Sequence, residues 1–298
     1  MLDYSALSAL AAVIREGSFE RAATALHVTP SAVSQRIRLL EERVGCALVV
    51  RDQPCRATAT GRRLCQHVDR VRLLEQSLHD TVPALAPEGV ARVALPIAVN
   101  ADSLATWFAP ALAAFAADAP VLVEVAVDDE DHTAEWLRSG AVLAAVTASA
   151  RPAAGCNCQP LGSMRYHAVA SPAFIARHFA QGVGAGSLAQ APSLVFNTKD
   201  GLQARWAQRQ CHRHVELPRH RLPSPQAFVI AALAGMGWGL QPRALIAAHL
   251  QDGSLFELVP DTPLDVPLYW QHARVAAGWL DGLSRELLAA ARRTLLPP

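Results

Sequence analysis

Residues 18–45 read SFERAATALHVTPSAVSQRIRLLEERVG, two short helices joined by a few residues. Phe19, Ala22, Ala23 and Leu26 recur at helical spacing on one face, and Ser18 is placed to cap its start. Thr29 is a good cap for a second helix. Pro30 suits its first position, because the missing N–H would have no partner there. Val33, Ile37, Leu40 and Val44 form the buried stripe of that second helix. Its other face carries Ser31, Ser34, Gln35 and Arg38, with no acid before Glu41 and Glu42. A helix, a tight turn and a second helix with an uncharged-to-basic face is the helix-turn-helix plan, whose second helix enters the major groove of DNA. A helical hairpin buried in a core is the alternative, and it gives no reason for the acid-free face.

Working outward, residues 3–15 supply a first helix with Leu7, Leu10, Ala11 and Ile14 in a stripe, completing a three-helix core. After Gly45, CALVVRDQPCRATATG (46–61) reads as a strand at 47–51, an Asp-Gln-Pro turn and a strand at 55–57. This is a wing, with Arg51 and Arg56 flanking its tip, where a guanidinium can meet phosphate or the minor groove. Residues 1–63 hold nine arginines against six acids. That excess is mild, so geometry rather than bulk charge carries the inference of nucleic-acid binding.

Thr58 can cap the next helix, which extends to about Pro83. Leu64, Val71 and Leu78 repeat every seven residues, with Leu74 and the weaker His67 on the seam, a pattern for pairing with the same helix of another subunit. A core-facing helix is the alternative. PALAPEG (83–89) reads as a hinge. From Ala91 strands alternate with helices: strands at 91–99, 121–127 and 141–148, helices at 103–117 and 131–139. A second set has strands near 166–171, 193–197, 219–223 and 238–240, and helices near 172–180, 201–210, 225–235 and 242–250. Residues 267–272 and a last helix at 278–293 return to the first lobe. The pattern predicts βαβ units with parallel sheets in two lobes and a ligand cleft at strand ends.

With 298 residues, 51% of them hydrophobic and 18% charged, the chain is long enough for two or three domains. Its net charge of +1 says little about partners. No apolar run approaches the roughly 20 residues that span a bilayer, and MLDYSALSAL lacks a secretory pattern. The expectation is a cytoplasmic protein without a membrane partner. Six scattered cysteines then stay reduced. Cys156-Asn-Cys158 and Cys211-His-Arg-His214 lack the paired spacing of a zinc module, and no metal or cofactor is called for. Gly-x-Ser-x-Gly, a phosphate-loop lysine and HExxH are all missing, which argues against an enzyme. The glycine-rich GVGAGS (182–187) and GMGWG (235–239) read as loops or helix ends.

The helix-turn-helix stretch and the LVVRxxPxRATATG wing resemble the DNA-binding domain of LysR-type transcriptional regulators. The order of winged helix, linker helix and two-lobed effector domain, of the kind seen in periplasmic binding proteins, fits that family over the whole chain. VIREGSFERAA (13–23), SAVSQRIRLLE (31–41), VNADSLATW (99–107), VDDE (127–130), LRSG (137–140) and LYWQH (268–272) resemble its lysine- and arginine-responsive LysG/ArgP branch. The resemblance implies residues 1–58 for DNA binding and 59–89 for linker and dimerisation. Residues 90–298 then bind effector, with lobe I at 90–162 and 267–298 and lobe II at 163–266. It further implies a dimer or tetramer on promoter DNA that contacts RNA polymerase. By position Pro30, Ser31, Ser34 and Gln35 face bases, with Ser18 and Thr29 beside them, and Arg38, Arg51 and Arg56 meet the backbone or minor groove. Many relatives carry Gln where this chain has Pro30, so the operator is not transferable.

A basic amino acid needs donors for its carboxylate and acceptors for its ammonium and distal cation. Asn100, Asp102 and Ser103 stand where the first strand gives way to a helix, and backbone N–H groups there can hold a carboxylate. Ser224 opens the helix containing Phe228, a second such start from the other lobe. Asp128, Asp129, Glu130 and Asp131 suit an ammonium or guanidinium, although a solvated acidic loop is the plainer alternative. Thr147 and Asp200 are lesser candidates. Trp107 and Trp270 read as core. A regulator with a different effector, an enzyme fused to a DNA-binding module, and a transport-type binding protein remain competing readings, the last opposed by the winged helix.

Overall fold

The computed structural model describes residues 2–81, 93–118, 121–128 and 133–298. The chain divides into two units, Met1–Val93 with Ser139–Ala141, and Ala94–Arg138 with Val142–Pro298.

The first unit runs α1 (Tyr4–Glu16), α2 (Phe19–Ala25), α3 (Pro30–Val44), β1 (Val49–Val50), β2 (Arg56–Ala57) and α4 (Ala59–Thr81). Each helix start is closed by the residue before it. Asp3 accepts from the Ser5 and Ala6 amides, Ser18 from Arg21, Thr29 from Ala32 and Thr58 from Gly61, at 2.9–3.2 Å. Such caps are worth about 1 kcal/mol apiece. Ala9, Ala12 and Val13 are buried together with Leu7 and Leu10, because α2, α3 and α4 all pack on α1. One predicted core residue is corrected: Val44 is exposed. α3 ends there on the left-handed Gly45, and Leu48 and Val49 turn inward to close that end of the core.

The wing strands are shorter than predicted, two residues each, antiparallel in the register Val49 to Ala57 and Val50 to Arg56. Other bonds hold the wing. A Glu41 carboxylate oxygen accepts from the Leu48 and Val49 amides at 2.7 and 3.3 Å, tying it to the end of α3. The Cys55 amide donates to the Gly17 carbonyl at 2.9 Å. Gly17 has φ +67°, and a Cβ there would lie 2.8 Å from that of Pro54, so the close approach requires glycine. The α4 seam divides. Leu64 and Val68 pack into the core of this unit and His67 meets the Tyr4 hydroxyl at 3.3 Å, whereas Leu74 is exposed. The side chain of Leu78 and residues 83–89 lie outside the described residues.

The second unit opens with β3 (Val93–Asn100) and α5 (Ala101–Ser103), continuous through a π-helical stretch (Leu104–Phe108) with α6 (Ala109–Asp118). There follow β4 (Val121–Asp128), α7 (Thr133–Ser139), β5 (Ala144–Thr147), β6 (Cys156–Ala170), α8 (Pro172–His178), α9 (Ala185–Leu188) and β7 (Ser193–Val195). Next come α10 (Leu202–Cys211), β8 (Arg219–Arg221), α11 (Pro225–Leu233), β9 (Gly239–Pro242) and α12 (Arg243–Gln251). β10 (Phe256–Glu257), β11 (Leu264–Ala273) and α13 (Ala277–Thr294) finish the fold. Seven strands form one sheet in the order β10-β6-β11-β5-β3-β4, with β9 also on β6, and β7 pairs β8 separately. Trp107 and Trp270 are both core, and Trp270 donates to the Ser284 hydroxyl at 2.9 Å.

The predicted parallel character is corrected by β6. β3–β5 and β7–β8 are parallel, while β6 runs antiparallel to β9, β10 and β11. It is fifteen residues long and begins at Cys156, ten residues before the predicted strand. Cys-Asn-Cys-Gln-Pro has no apolar alternation, and its pairing with residues 269–273 comes from more than a hundred positions away. The β6–β11 register shifts opposite Leu268 and Tyr269, beside Gly162 at φ +128°. Residues Ser163 and Leu296 exchange both backbone hydrogen bonds just beyond, at 3.0 and 2.9 Å. Lobe I and lobe II therefore meet on strands that belong to both.

Arg165 on β6 grips Asp265 on β11 through two bonds of 2.8 Å. This hydrogen bonding holds the Asp265 carboxyl below its ordinary range. Its contribution to stability is full above about pH 4 and is lost as pH falls through the depressed folded value. Both side chains are 38% exposed, so screening limits the pair. Asp265→Asn is expected to cost roughly 0.5–1 kcal/mol at neutral pH. The difference from the parent should shrink on acidification, as read by urea unfolding. A pH-independent difference would contradict the assignment.

Candidate functional site

Two sets of polar side chains stand out, one in each unit. On α3, Ser31 and Gln35 are exposed and Ser34 is half-buried, opposite the core residues Val33, Ile37 and Leu40. The Ser31 hydroxyl lies 3.0 Å from that of Thr29, and the Thr29 oxygen also serves as the cap. Arg38 bonds Glu42 at 3.0 Å in a largely exposed pair. Such pairs are worth about 1 kcal/mol or less, so a phosphate can displace the acid. Glu41, the other acid near this face, is turned back into the wing by its amide bonds. The Arg51 guanidinium stands over the Phe19 ring, 5.1 Å from its centroid, which directs it toward the start of α2. Arg56 is exposed on β2. Ser18 is committed locally: it caps α2 and donates to Glu20 at 2.8 Å, a bond that lowers the Glu20 pKa.

In the second unit the parallel register of Ile97 with Ala144 and Ala98 with Ala145 brings the ends of β3 and β5, Asn100 and Thr147, side by side. Asn100 is 1% exposed and Ser103 is fully buried. Among the described residues neither the Asn100 amide nor the Ser103 hydroxyl has a hydrogen-bond partner. Leaving such groups buried and unpaired costs about 1–3 kcal/mol each, the usual mark of a site kept for a ligand or a water. Asp102 behaves differently, since its carboxylate accepts the Tyr166 hydroxyl of β6 at 2.8 Å.

Several other candidates are organisers. The Thr147 hydroxyl donates to the Ser149 carbonyl and accepts from the Ser149 amide and the Gln271 side chain, at 3.2–3.3 Å. The Asp200 carboxylate accepts from the Phe196 and Leu202 amides at 2.8 and 3.1 Å, shaping the turn before α10. Ser224 caps α11 through the Ala227 amide. The Phe228 ring is packed into the lobe II core with Val169, Leu194 and Ile246. Asp128 ends β4, whereas Asp129, Glu130 and Asp131 lie outside the described residues. Among the described residues no group of three or more His, Cys, Asp or Glu could hold a metal, and no helix is long and apolar enough to cross a membrane.

Comparison with known proteins decides the family. Residues 4–62 match the lysR-family bacterial regulatory helix-turn-helix model, and residues 88–292 match the LysR substrate binding domain. The chain is a LysR-type transcriptional regulator. It is 48% identical over 305 residues to the HTH-type transcriptional regulator ArgP of Pseudomonas fluorescens, covering 100% of this chain and 99% of that one. The crystal structure of ArgP from Mycobacterium tuberculosis superposes with a TM-score of 0.83 at 43% identity, covering all of both chains. Full-length LysG of Corynebacterium glutamicum with bound effector Arg gives a TM-score of 0.72 at 36% identity, over 99% of this chain and 100% of that one.

Some polar residues of the regulator's effector domain were missed in the sequence. Gln203, in the first turn of α10, is 1% exposed, and among the described residues neither of its amide atoms has a hydrogen-bond partner. Its signal was a glutamine on the same helical stripe as buried Trp206 and Ala207. Gln271 is fully buried on β11. Its amide nitrogen donates to the Thr147 hydroxyl and to the Ser149 and Arg151 carbonyls, and its oxygen accepts the Ala153 amide at 2.9 Å. One side chain thus fixes the whole 147–153 loop. Gln271→Ala should cost about 1–3 kcal/mol and release that loop. Hydrogen exchange at the Ala153 amide should rise at least tenfold while the β3 amides stay protected; unchanged exchange at Ala153 would contradict the clamp.

Proposed function

We propose that this LysR-type regulator takes arginine or lysine as its effector and acts on genes of amino-acid export or metabolism. The observation that carries the effector reading is the pair of buried, unpartnered side chains at the end of β3, Asn100 and Ser103. Their donors suit an α-carboxylate, reinforced by the backbone N–H groups that follow Asn100. Gln203 supplies the facing polar group from lobe II, and Asp128, Asp129 and Glu130 supply charge for the distal ammonium or guanidinium. The bound arginine in the LysG structure supports this choice of ligand. Thr147, Asp200 and Ser224 act one step back, by holding the loops and helix starts that carry backbone donors.

On DNA, α3 enters the major groove with Ser31, Ser34 and Gln35 toward base edges and Pro30 at its entry. Arg38, Arg51 and Arg56 meet phosphate or the minor groove. Linker helices pair two copies through the exposed Leu74 side of α4, giving a dimer or tetramer in the cytoplasm. Effector binding closes lobe I on lobe II and resets how paired dimers bend DNA and meet RNA polymerase. The ligand drives this only by its different affinities for the two arrangements.

Titration calorimetry of the full-length protein with L-arginine and L-lysine tests the effector. Binding is expected for at least one, weakened about tenfold or more in Asn100→Ala and in Ser103→Ala. No heat at millimolar ligand, or unaltered affinity in both variants, would remove the reading. In gel shifts with promoter DNA, Arg51→Ala should weaken all sequences alike and flatten the salt dependence, while Gln35→Ala should change base preference. Equal effects of both variants on every sequence would contradict the assigned roles.

A further inference from the structure

Among the described residues four tryptophans are buried to 2% exposure or less: Trp107, Trp206, Trp238 and Trp270. Three of them have a partner for the indole N–H. Trp206 donates to the Thr262 carbonyl at 2.9 Å, Trp238 to the Ala191 carbonyl at 3.3 Å and Trp270 to the Ser284 hydroxyl at 2.9 Å. That is what a buried indole ordinarily does. Trp107 breaks the pattern, since its Nε1 has no hydrogen-bond partner among the described residues.

Its place in the chain gives that spare donor a meaning. Asn100, Ser103 and Trp107 follow one another at the spacing of a single helix face. Long side chains on a helix lean back toward its N-terminus, so the indole covers the turn that carries Ser103. The stretch holding it, Leu104–Phe108, is a π-helical turn, a feature that recurs at functional sites. The neighbouring face is already spent: the Asp102 carboxylate accepts from Tyr166 at 2.8 Å, and the Thr106 hydroxyl donates to the Asp102 carbonyl at 2.6 Å. On the Asn100 face an amide, a hydroxyl and an indole are all buried and all lack a partner among the described residues. Asn100 even occupies the cap position of α5 without making a side-chain cap bond.

We propose that the Trp107 indole N–H is a specificity-determining donor to the effector's α-carboxylate, and that it makes a free carboxylate a requirement of the ligand. The inference rests on the amino-acid site assigned above to the end of β3. An amide and a hydroxyl can each donate or accept, so Asn100 and Ser103 alone would serve an ammonium as well as a carboxylate. An indole N–H only donates, and its best partner is an anionic oxygen. Trp107 therefore fixes the polarity of the site. An amine that keeps the distal cation of arginine but lacks the acid group leaves this donor buried and unpaired, and is rejected for that reason.

The test compares L-arginine with agmatine, which is arginine without its carboxylate, by calorimetry on the full-length protein and on Trp107→Phe. The substitution keeps a packed ring and removes the N–H. Arginine is expected to bind the parent at least about tenfold more tightly than agmatine, and to lose about tenfold in Trp107→Phe, the scale of a hydrogen bond to a charged group. Agmatine affinity should be the same in both proteins. Unchanged arginine affinity in a folded Trp107→Phe would overturn the proposal. So would an equal loss for both ligands, which is the result of a merely structural role. A second measurement needs no variant: of the six tryptophans, one indole N–H resonance of the ¹⁵N-labelled parent should move downfield with arginine and stay in place with agmatine. Indole resonances that ignore arginine would also overturn the proposal. Arginine that binds the parent while Trp107 takes no part leaves the effector reading intact, whereas a parent that binds no arginine refutes that reading itself.

Discussion

The pairing of β6 with β11 is the constraint on which the effector domain depends. β6 runs unbroken from Cys156 to Ala170, with β11 beside it through most of that length and β9 and β10 along its far end. Lobe I rests on the first half of this ribbon and lobe II on the second. The ladder is irregular at the register shift beside Gly162, and there the Leu296 segment is bonded to Ser163. β11 also carries Gln271, whose amide fixes the loop after β5, so the strand that joins the lobes shapes the rim of lobe I as well. The Tyr166–Asp102 bond ties the start of α5 to the lobe II half of β6.

The DNA-binding unit solves a different problem, presenting a helix face while keeping nearby acids out of the way. Glu41 and Glu42 follow the exposed polar face of α3 directly in sequence, yet one is consumed by the wing amides and the other is held by Arg38. The same Glu41 contact fixes the wing, whose two-residue strands could not hold their place by ladder bonds alone. Arg51 is preset by the Phe19 ring. Charge of the wrong sign is neutralised by structural use, and charge of the right sign remains at the surface.

The helix-turn-helix was legible because every signal there is local. Capping residues, a proline at the first helical position and a 3.6-residue stripe all act within a few positions of one another. Most of the α/β order was legible for the same reason, but not the short α9 and β10, nor the start of β6, whose first residues have no strand pattern and are ordered by a partner more than a hundred positions away. Asn100 and Ser103 could be singled out as polar residues at a strand end. That the Thr147 hydroxyl, the Asp200 carboxylate and the Phe228 ring are spent on loop and core could not be read, since their partners are set by tertiary contacts such as Gln271 to Thr147. Gln203 was passed over because a glutamine on a helix is ordinarily solvated, and only burial distinguishes it.

The most direct measurement is a crystal structure of the full-length regulator grown with L-arginine. The ligand carboxylate or ammonium should lie within about 3.2 Å of both the Asn100 amide and the Ser103 hydroxyl, with Gln203 reaching it from lobe II. Arginine bound elsewhere, with Asn100 and Ser103 still lacking any polar neighbour, would contradict the assignment of the effector site to the end of β3.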